Sequence, residues 1–309
     1  MRTHLHGCLV LCCCAATAAA QTPTSLAFAE RSDRLVITHA GQPAAEFVFA
    51  DQTILRPYFA NLYGPGGVKV TRNHPPLAGV DADDHAAMHP GLWLAFGDIS
   101  GSDFWRNQGR IEHQRFLKPP AVGGDRLEFA TESRLQGNDG SPLCRMNCDI
   151  SLTLRPTGYL ITWQATFLAD SRDLTWGDQE EMGFGARVAT PMTEKNGGQI
   201  RSSRGLKSAQ ATWGQPAEWC DYAGVIDGRQ CGITLLADPG NFRPSWWHNR
   251  DYGVFVANPF GRAAMKQGPV SSIRLRRGET LKLRFGAVIH SGEAYDPAAE
   301  YRAFAANMK

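Results

Sequence analysis

One stretch of the chain, Asp84 to His113 (DHAAMHPGLWLAFGDISGSDFWRNQGRIEH), sets His85 and His89 beside Asp98, Asp103, Trp93, Trp105, Arg106, Glu112 and His113. Titratable groups and aromatic plates crowd together where protons are moved or polar ligands are gripped. A second stretch of the same character lies far downstream, Ser245 to Arg262 (SWWHNRDYGVFVANPFGR). There His248 stands between Trp247 and the Asn249-Arg250-Asp251-Tyr252 run, and Asn258 follows. A third, Glu180-Glu181-Met182-Gly183-Phe184-Gly185-Ala186-Arg187, alternates so that Glu181 and Arg187 fall on one face of a strand.

These residue types suit a sugar. Flat rings stack on pyranose faces, while carboxylates, amides and guanidinia hold hydroxyls. The expected catalytic set is His89, His85, Glu181 and His248, which would move protons at a sugar carbon or a glycosidic oxygen. The expected substrate-binding set is Arg56, Trp105, Glu180, Arg187, Trp247, Arg250, Asp251 and Asn258. The side chains of His89, Trp105, Glu181, Arg187, His248 and Asp251 are expected to line one cleft on a sheet. Gathering them at one wet site avoids a separate set of hydrogen-bond partners for each.

Each group has a plainer reading. The His-x3-His pair runs at once into Pro90-Gly91, which makes a loop and weakens the metal-ligand spacing that a helix would give. Asp98, Ser100 and Asp103 offer oxygens, but they lack the full set of a calcium loop and serve equally as turn-stabilising contacts. Serine-nucleophile, phosphate-loop and nicotinamide fingerprints are absent. No cofactor is expected.

The elements that must carry these residues are strands. Period-two alternation marks Ser25 to Ala29, Arg34 to His39, Ala45 to Phe49, Arg126 to Ser133, Cys148 to Arg155 and Leu160 to Leu168. It also marks Gly183 to Ala189, Tyr222 to Ile226, Cys231 to Ala237, Gly253 to Ala257, Ser271 to Leu275 and Thr280 to Ile289. Asp227-Gly228 between two apolar runs predicts a hairpin. Lys118-Pro119-Pro120 is taken as a loop. Only the segment from Asp296 to Phe304 reads as a helix, with Asp296 as cap and Pro297 in the first turn. The fold class is all-β: a large two-sheet antiparallel β-sandwich with a short C-terminal helix.

The 309-residue chain has a formal net charge of +2, and its basic residues are scattered, which argues against a nucleic-acid partner. No apolar run after the N-terminus is long enough to span a membrane. Residues 1–20 read as a signal peptide, with an apolar stretch and Ala18-Ala19-Ala20 as the cleavage site, leaving residues 21–309 as one domain, periplasmic or secreted. Four of the eight cysteines lie beyond that point: Cys144, Cys148, Cys220 and Cys231. One disulfide or buried free thiols are both open. Nothing in the sequence gives the oligomeric state.

The stretches RPYFANLYGPGGVKVTRNHPP, DHAAMHPGLWLAFGDISGSDFWRNQGRIEH, EEMGFGARVATPM and WWHNRDYGVFVANPFGR resemble a bacterial secreted family of unknown function labelled "methane oxygenase PmoA-like". That label implies a metal-dependent oxidoreductase, with His85, His89 and His248 as ligands. The strand-rich chain ending LRRGETLKLRFGAVIHSG and a helix is similar in architecture to galactose-mutarotase-type super-sandwich proteins. This likeness implies a fold that hosts sugar epimerases, lyases and non-catalytic domains of glycosidases. The readings carried forward are a carbohydrate-active enzyme (hydrolase, lyase or epimerase), a non-catalytic carbohydrate-binding module, and the metal-dependent oxidoreductase.

Overall fold

Apolar residues at every second position bury one face of strands such as Arg34–His39 and Arg126–Gln136, and two sheets close over those faces. The computed structural model describes residues 26–306. The expected signal peptide and the start of the first expected strand at Ser25 lie outside the described residues. The chain is an antiparallel all-β structure with one short C-terminal helix.

The first eight-stranded sheet runs, in spatial order, Leu26–Glu30, Arg34–His39, Gln42–Val48, Tyr58–Ala60, Leu92–Phe96, Met182–Arg187, Val254–Asn258 and Trp246–Asn249. The second runs Gln199–Ser202, Trp219–Ile226, Arg229–Ala237, Thr280–Ser291, Gly158–Leu168, Pro142–Arg155, Arg126–Gln136 and Arg110–Gly123. Their facing sides interlock through aromatic rings, among them Phe184 stacked on Phe285 (centroids 5.3 Å apart) and Phe47 against Phe129 (4.9 Å). The helix Pro297–Ala306 covers part of the second sheet's outer face through Phe304, on Leu160, Leu236 and Val288. Asp296 caps it by accepting from the Ala298 N–H, as its sequence predicts.

The Asp227-Gly228 hairpin forms as expected, with Ile226 paired to Arg229 and both turn residues at positive φ. Two expectations fail. Leu92–Phe96 lies inside the Asp84 to His113 stretch, where no strand is expected, yet it is a central strand buried on both faces, so its sequence shows no alternation. Lys118-Pro119-Pro120 is not a loop but part of the edge strand Arg110–Gly123, whose pairing with Arg126–Gln136 shifts register three times. An edge strand tolerates proline because one of its sides needs no donors.

All four described cysteines are free and buried, so the disulfide alternative is not realised. Burial pushes the Cys144 and Cys148 thiols up to about 12 and Cys231 up to about 11. The native protein is therefore expected to leave these thiols unreactive towards Ellman's reagent at pH 8. Full reaction should appear only on unfolding, and a reducing agent should leave the unfolding midpoint unmoved.

Candidate functional site

The three polar-aromatic stretches meet on the outer face of the first sheet. Register fixes this. Tyr58 pairs with Trp93, Trp93 with Gly185, Gly185 with Val256 and Val256 with His248, so these five positions form one row across the sheet. Arg187 and Val254 pair in the next row, on the same face. Gly185 is required here, because a Cβ would sit 3.0 Å from both the Trp93 ring and Val256. With no side chain at that point, the indole lies down across the sheet.

The loops on either side cap this row. His89 stacks on Trp93 with ring centroids 5.1 Å apart and planes 10° from parallel, and Trp105 meets both edge-on. Arg56, only 3% exposed, ties the loops together: it donates to the Met88, Phe104 and Trp105 carbonyls and to Asn107 Oδ1. Arg72, also buried, donates to the carbonyls of Ala82, Asp84 and His89. Burial lowers both guanidinia to about 10. Arg187 forks onto Asp84 with bonds of 3.0 and 2.8 Å and lies 4.7 Å from the centroid of the Tyr252 ring.

The accessible part of the site is a chain of contacts along the rim of this cap. His85 Nδ1 is 2.9 Å from Asp84 Oδ2, and the ring, 5.1 Å from His89, stacks parallel to Tyr252 at 6.2 Å. A carboxylate on Nδ1 favours the tautomer that leaves the Nε2 lone pair free. His85 holds a positive φ of 54°, which a non-glycine residue rarely adopts. Arg250 neighbours Tyr252 and donates to Glu180 at 2.6 Å. His248 Nδ1 also lies 2.9 Å from that carboxylate, out of line for a hydrogen bond. Beside Arg250 opens a cavity of about 530 Å³ lined by Trp213, Glu194, Asn249, Arg250 and Asp251.

The charges are tuned accordingly. Burial works to raise the Asp84 pKa, but bonds from Arg187 and His85 outweigh it and hold the group well below the usual carboxylate range. The nearby His248, then Arg250, hold Glu180 low against burial. Burial, with the positive field of Arg187, His85, Arg56 and Arg72, drives His89 well below the usual imidazole value. Burial also lowers His248, against the pull of Glu180. The Tyr252 phenol is raised by burial. His89 and His248 are therefore neutral at pH 7, while in the unfolded chain each takes a proton near pH 6.5. Below that pH the unfolded state binds more protons, so stability is lost as the pH falls. Urea unfolding at pH 7.5 and pH 5 should show this loss. His89→Phe should reduce the difference, because its share of the proton uptake is gone.

The expected site residues divide by position. His85, His89, Trp105, Arg187, Glu180, His248 and Arg250 share this face. Glu181 sits at its edge, ion-paired with Arg106, which also holds Asp103. Asp251 is exposed at the far side of the cavity, 3.7 Å from Lys195. The expectation of one open cleft needs correction. His89, Trp105, Arg187 and His248 lie beneath the cap at 0–3% exposure, because the loops that bring them together also cover them.

Trp247 belongs to the core between the sheets, and its indole N–H donates to the Ala217 carbonyl, so it packs rather than faces a ligand. Asn258 spends its amide on the Gln179 and Glu180 carbonyls and its oxygen on the Phe260 and Gly261 N–H groups. It shapes the turn that presents Glu180. Asp98 and Asp103 accept from backbone N–H groups of their own turns, at Gly101, Trp105 and Arg106. Among the described residues no three His, Cys, Asp or Glu side chains group as a metal site, so the set His85, His89 and His248 is not assembled.

Several members of the site were not singled out in the sequence, Arg72 and Glu194 among them. Asp84 and Tyr252 lie inside the highlighted stretches, where their contacts with Arg187 and His85 depend on folding. Trp213 sits in a segment with no other functional signal.

No curated protein matches the chain. Among solved structures it is similar to a β-arabinopyranosidase (10% identity, TM-score 0.44), covering 80% of this chain and 38% of that one. It is also similar to a galactose mutarotase-like protein from Clostridium acetobutylicum (10% identity, TM-score 0.41, 86% of this chain and 98% of that one). A third is the heparan sulfate lyase HepC from Pedobacter heparinus (9% identity, TM-score 0.37, 90% and 37%). Likenesses this distant identify no activity. The model that matches residues 34–304 carries no methane-oxygenase label, and by that match the chain belongs to a family of unknown function, DUF6807.

Proposed function

We propose that the protein acts on carbohydrate as an enzyme, at the rim where Asp84–His85, Tyr252, Arg250 and Glu180 adjoin the cavity walled by Trp213. The single observation that carries this reading is the Asp84–His85 pair. It is an exposed imidazole oriented by a carboxylate and anchored through Arg187 to the sheet. Such a pair is suited to take or give a proton through Nε2. The raised Tyr252 phenol stays protonated and can donate, and the ionised Glu180 accepts from hydroxyls. Trp213, with Arg250 and Lys266 over its ring, walls the cavity, and Arg250 and Asp251 offer a donor and an acceptor beside it.

His89, His248 and Glu181 take supporting parts in this proposal. The first two back the exposed groups from beneath, and Glu181 fixes the Arg106 loop. Hydrolysis, elimination and epimerisation all fit a proton-moving pair. A screen of the purified protein on oligosaccharides, read by new reducing ends, unsaturated products and anomeric change, separates them. Silence in all three sinks the enzyme reading.

A second reading, a carbohydrate-binding module, draws on the burial of His89 and His248, which keeps two of the expected acid–base groups from direct contact with a ligand. Sugar binding without turnover would favour it. In either case we propose that residues 1–20 export the chain to the periplasm or beyond, leaving residues 21–309 as one domain.

A further inference from the structure

On the outer face of the second sheet, remote from the His85 rim, a buried cluster has no part in the function proposed above. Asp221 is 1% exposed yet charged, since the bonds around it outweigh the cost of burial. Its Oδ1 lies 2.8 Å from His290 Nε2 and accepts from Thr234 Oγ1 at 2.8 Å. Its Oδ2 accepts from Arg201 Nε at 3.0 Å. Tyr295 donates to Thr234 at 2.7 Å and stacks on the His290 ring, centroids 3.6 Å apart and planes 7° from parallel. Beneath the ring lies Gly232, where a Cβ would stand 2.6 Å from Nε2. The imidazole is thus clamped flat between a bare strand and a tyrosine.

That network accounts for every buried side-chain polar atom of the cluster except one. An ionised carboxylate only accepts, so Nε2 carries the hydrogen that faces it, which leaves the other ring nitrogen, Nδ1, to be satisfied. His290 Nδ1 is buried with no partner in the protein. A buried polar nitrogen left unpaired is costly and rare, and it calls for a partner from outside the chain, a role that a hydroxyl can fill as donor or as acceptor. His290 also lines a cavity of about 320 Å³, together with Arg201, Gln199, Gln230, Glu293 and Tyr295. That volume is at the small end of ligand pockets. The lining mixes donors and acceptors and balances a guanidinium against carboxylates. Hydroxyl groups, each donor and acceptor at once, match such a lining better than a charged group does.

We propose that this is a second binding site, independent of the His85 rim, that takes one neutral sugar ring and receives one of its hydroxyls on His290 Nδ1. The test is to follow the imidazole nitrogen resonances of His290 in the full chain while adding methyl glucoside, methyl galactoside or methyl mannoside. Removing His290 itself would strand Asp221 and endanger the fold. The informative variant is therefore Ala223→Leu, which fills the cavity from its wall. At least one glycoside should shift Nδ1 saturably, with binding weakened tenfold or more, on the order of 1.4 kcal/mol, in Ala223→Leu. Trp213→Ala, at the other site, should leave the shift unchanged. No shift with any of the three, or one that survives Ala223→Leu undiminished, overturns the proposal. An equal response to sodium acetate or ammonium chloride overturns the sugar assignment.

Discussion

Arg56→Met should destabilise the protein by about 3 kcal/mol, one of the largest effects of any single substitution at the site. The guanidinium is wholly buried without a carboxylate on it, which by itself opposes folding, as its lowering to about 10 records. Against that cost stand four charge-assisted bonds, three of them to main-chain carbonyls of two separate loops. Methionine has a similar length and removes the buried charge, but it leaves the Met88, Phe104 and Trp105 carbonyls without that donor. The four bonds outweigh the charge, so the sign is towards loss. The loss should be local before it is global. Hydrogen exchange should speed up first in residues 84–91 and 97–107, with the strand Leu92–Phe96 between them still protected. A variant as stable as the parent would mean that the loops hold themselves and Arg56 merely fills space.

The second large effect concerns chemistry. On any sugar that the parent protein turns over, His85→Ala should lower kcat by about 10²–10⁴-fold, the usual worth of a positioned acid–base group, with KM little changed. Asp84→Asn should cost less in kcat, because the imidazole stays in place but loses its oriented carboxylate. This variant has a structural side as well. The pKa of Asp84 is held below its unfolded value, so its contribution to stability is present above about pH 4. It fades as the pH falls towards the depressed value, and Asp84→Asn should remove that acid-dependent part. If His85→Ala retains full turnover, the proton is moved elsewhere, with Tyr252 next in line.

Much of the architecture was legible in the chain, because a strand with one wet and one dry face writes itself as alternation. Arg34–His39 and the second half of Gly158–Leu168 are examples, and the Asp227-Gly228 turn marks its hairpin as plainly. What escaped was whatever breaks that code. Leu92–Phe96 is dry on both faces and sits among loop-like neighbours, so nothing in its pattern separates it from them. Arg110–Gly123 contains two prolines that a central strand would refuse.

The site was legible as a set of residue types and illegible as an arrangement. The histidines, arginines and acids of the three stretches do converge, but depth is not written in residue type. His85 and His89 differ by one turn of loop, and only one of them meets solvent. Trp247 and Trp105 look alike in the sequence; one fills the gap between the sheets and the other roofs the outer face. Tyr252 earns its place only through contacts with Arg187 and His85 that no local pattern encodes.

The irregular edge strand has a consequence for life in a crowded solution. An open sheet ends in unpaired N–H and C=O groups that invite a stranger's strand. Three of the four edges here are short, at Leu26–Glu30, Trp246–Asn249 and Gln199–Ser202, and offer little to dock on. The fourth, Arg110–Gly123, is long enough to template a fibril. Its two prolines withhold donors, its slips of register spoil the repeat, and Arg115 and Lys118 charge its surface. Straightening it with Pro119→Thr and Pro120→Val would leave the sandwich intact and hand its neighbours a place to stick.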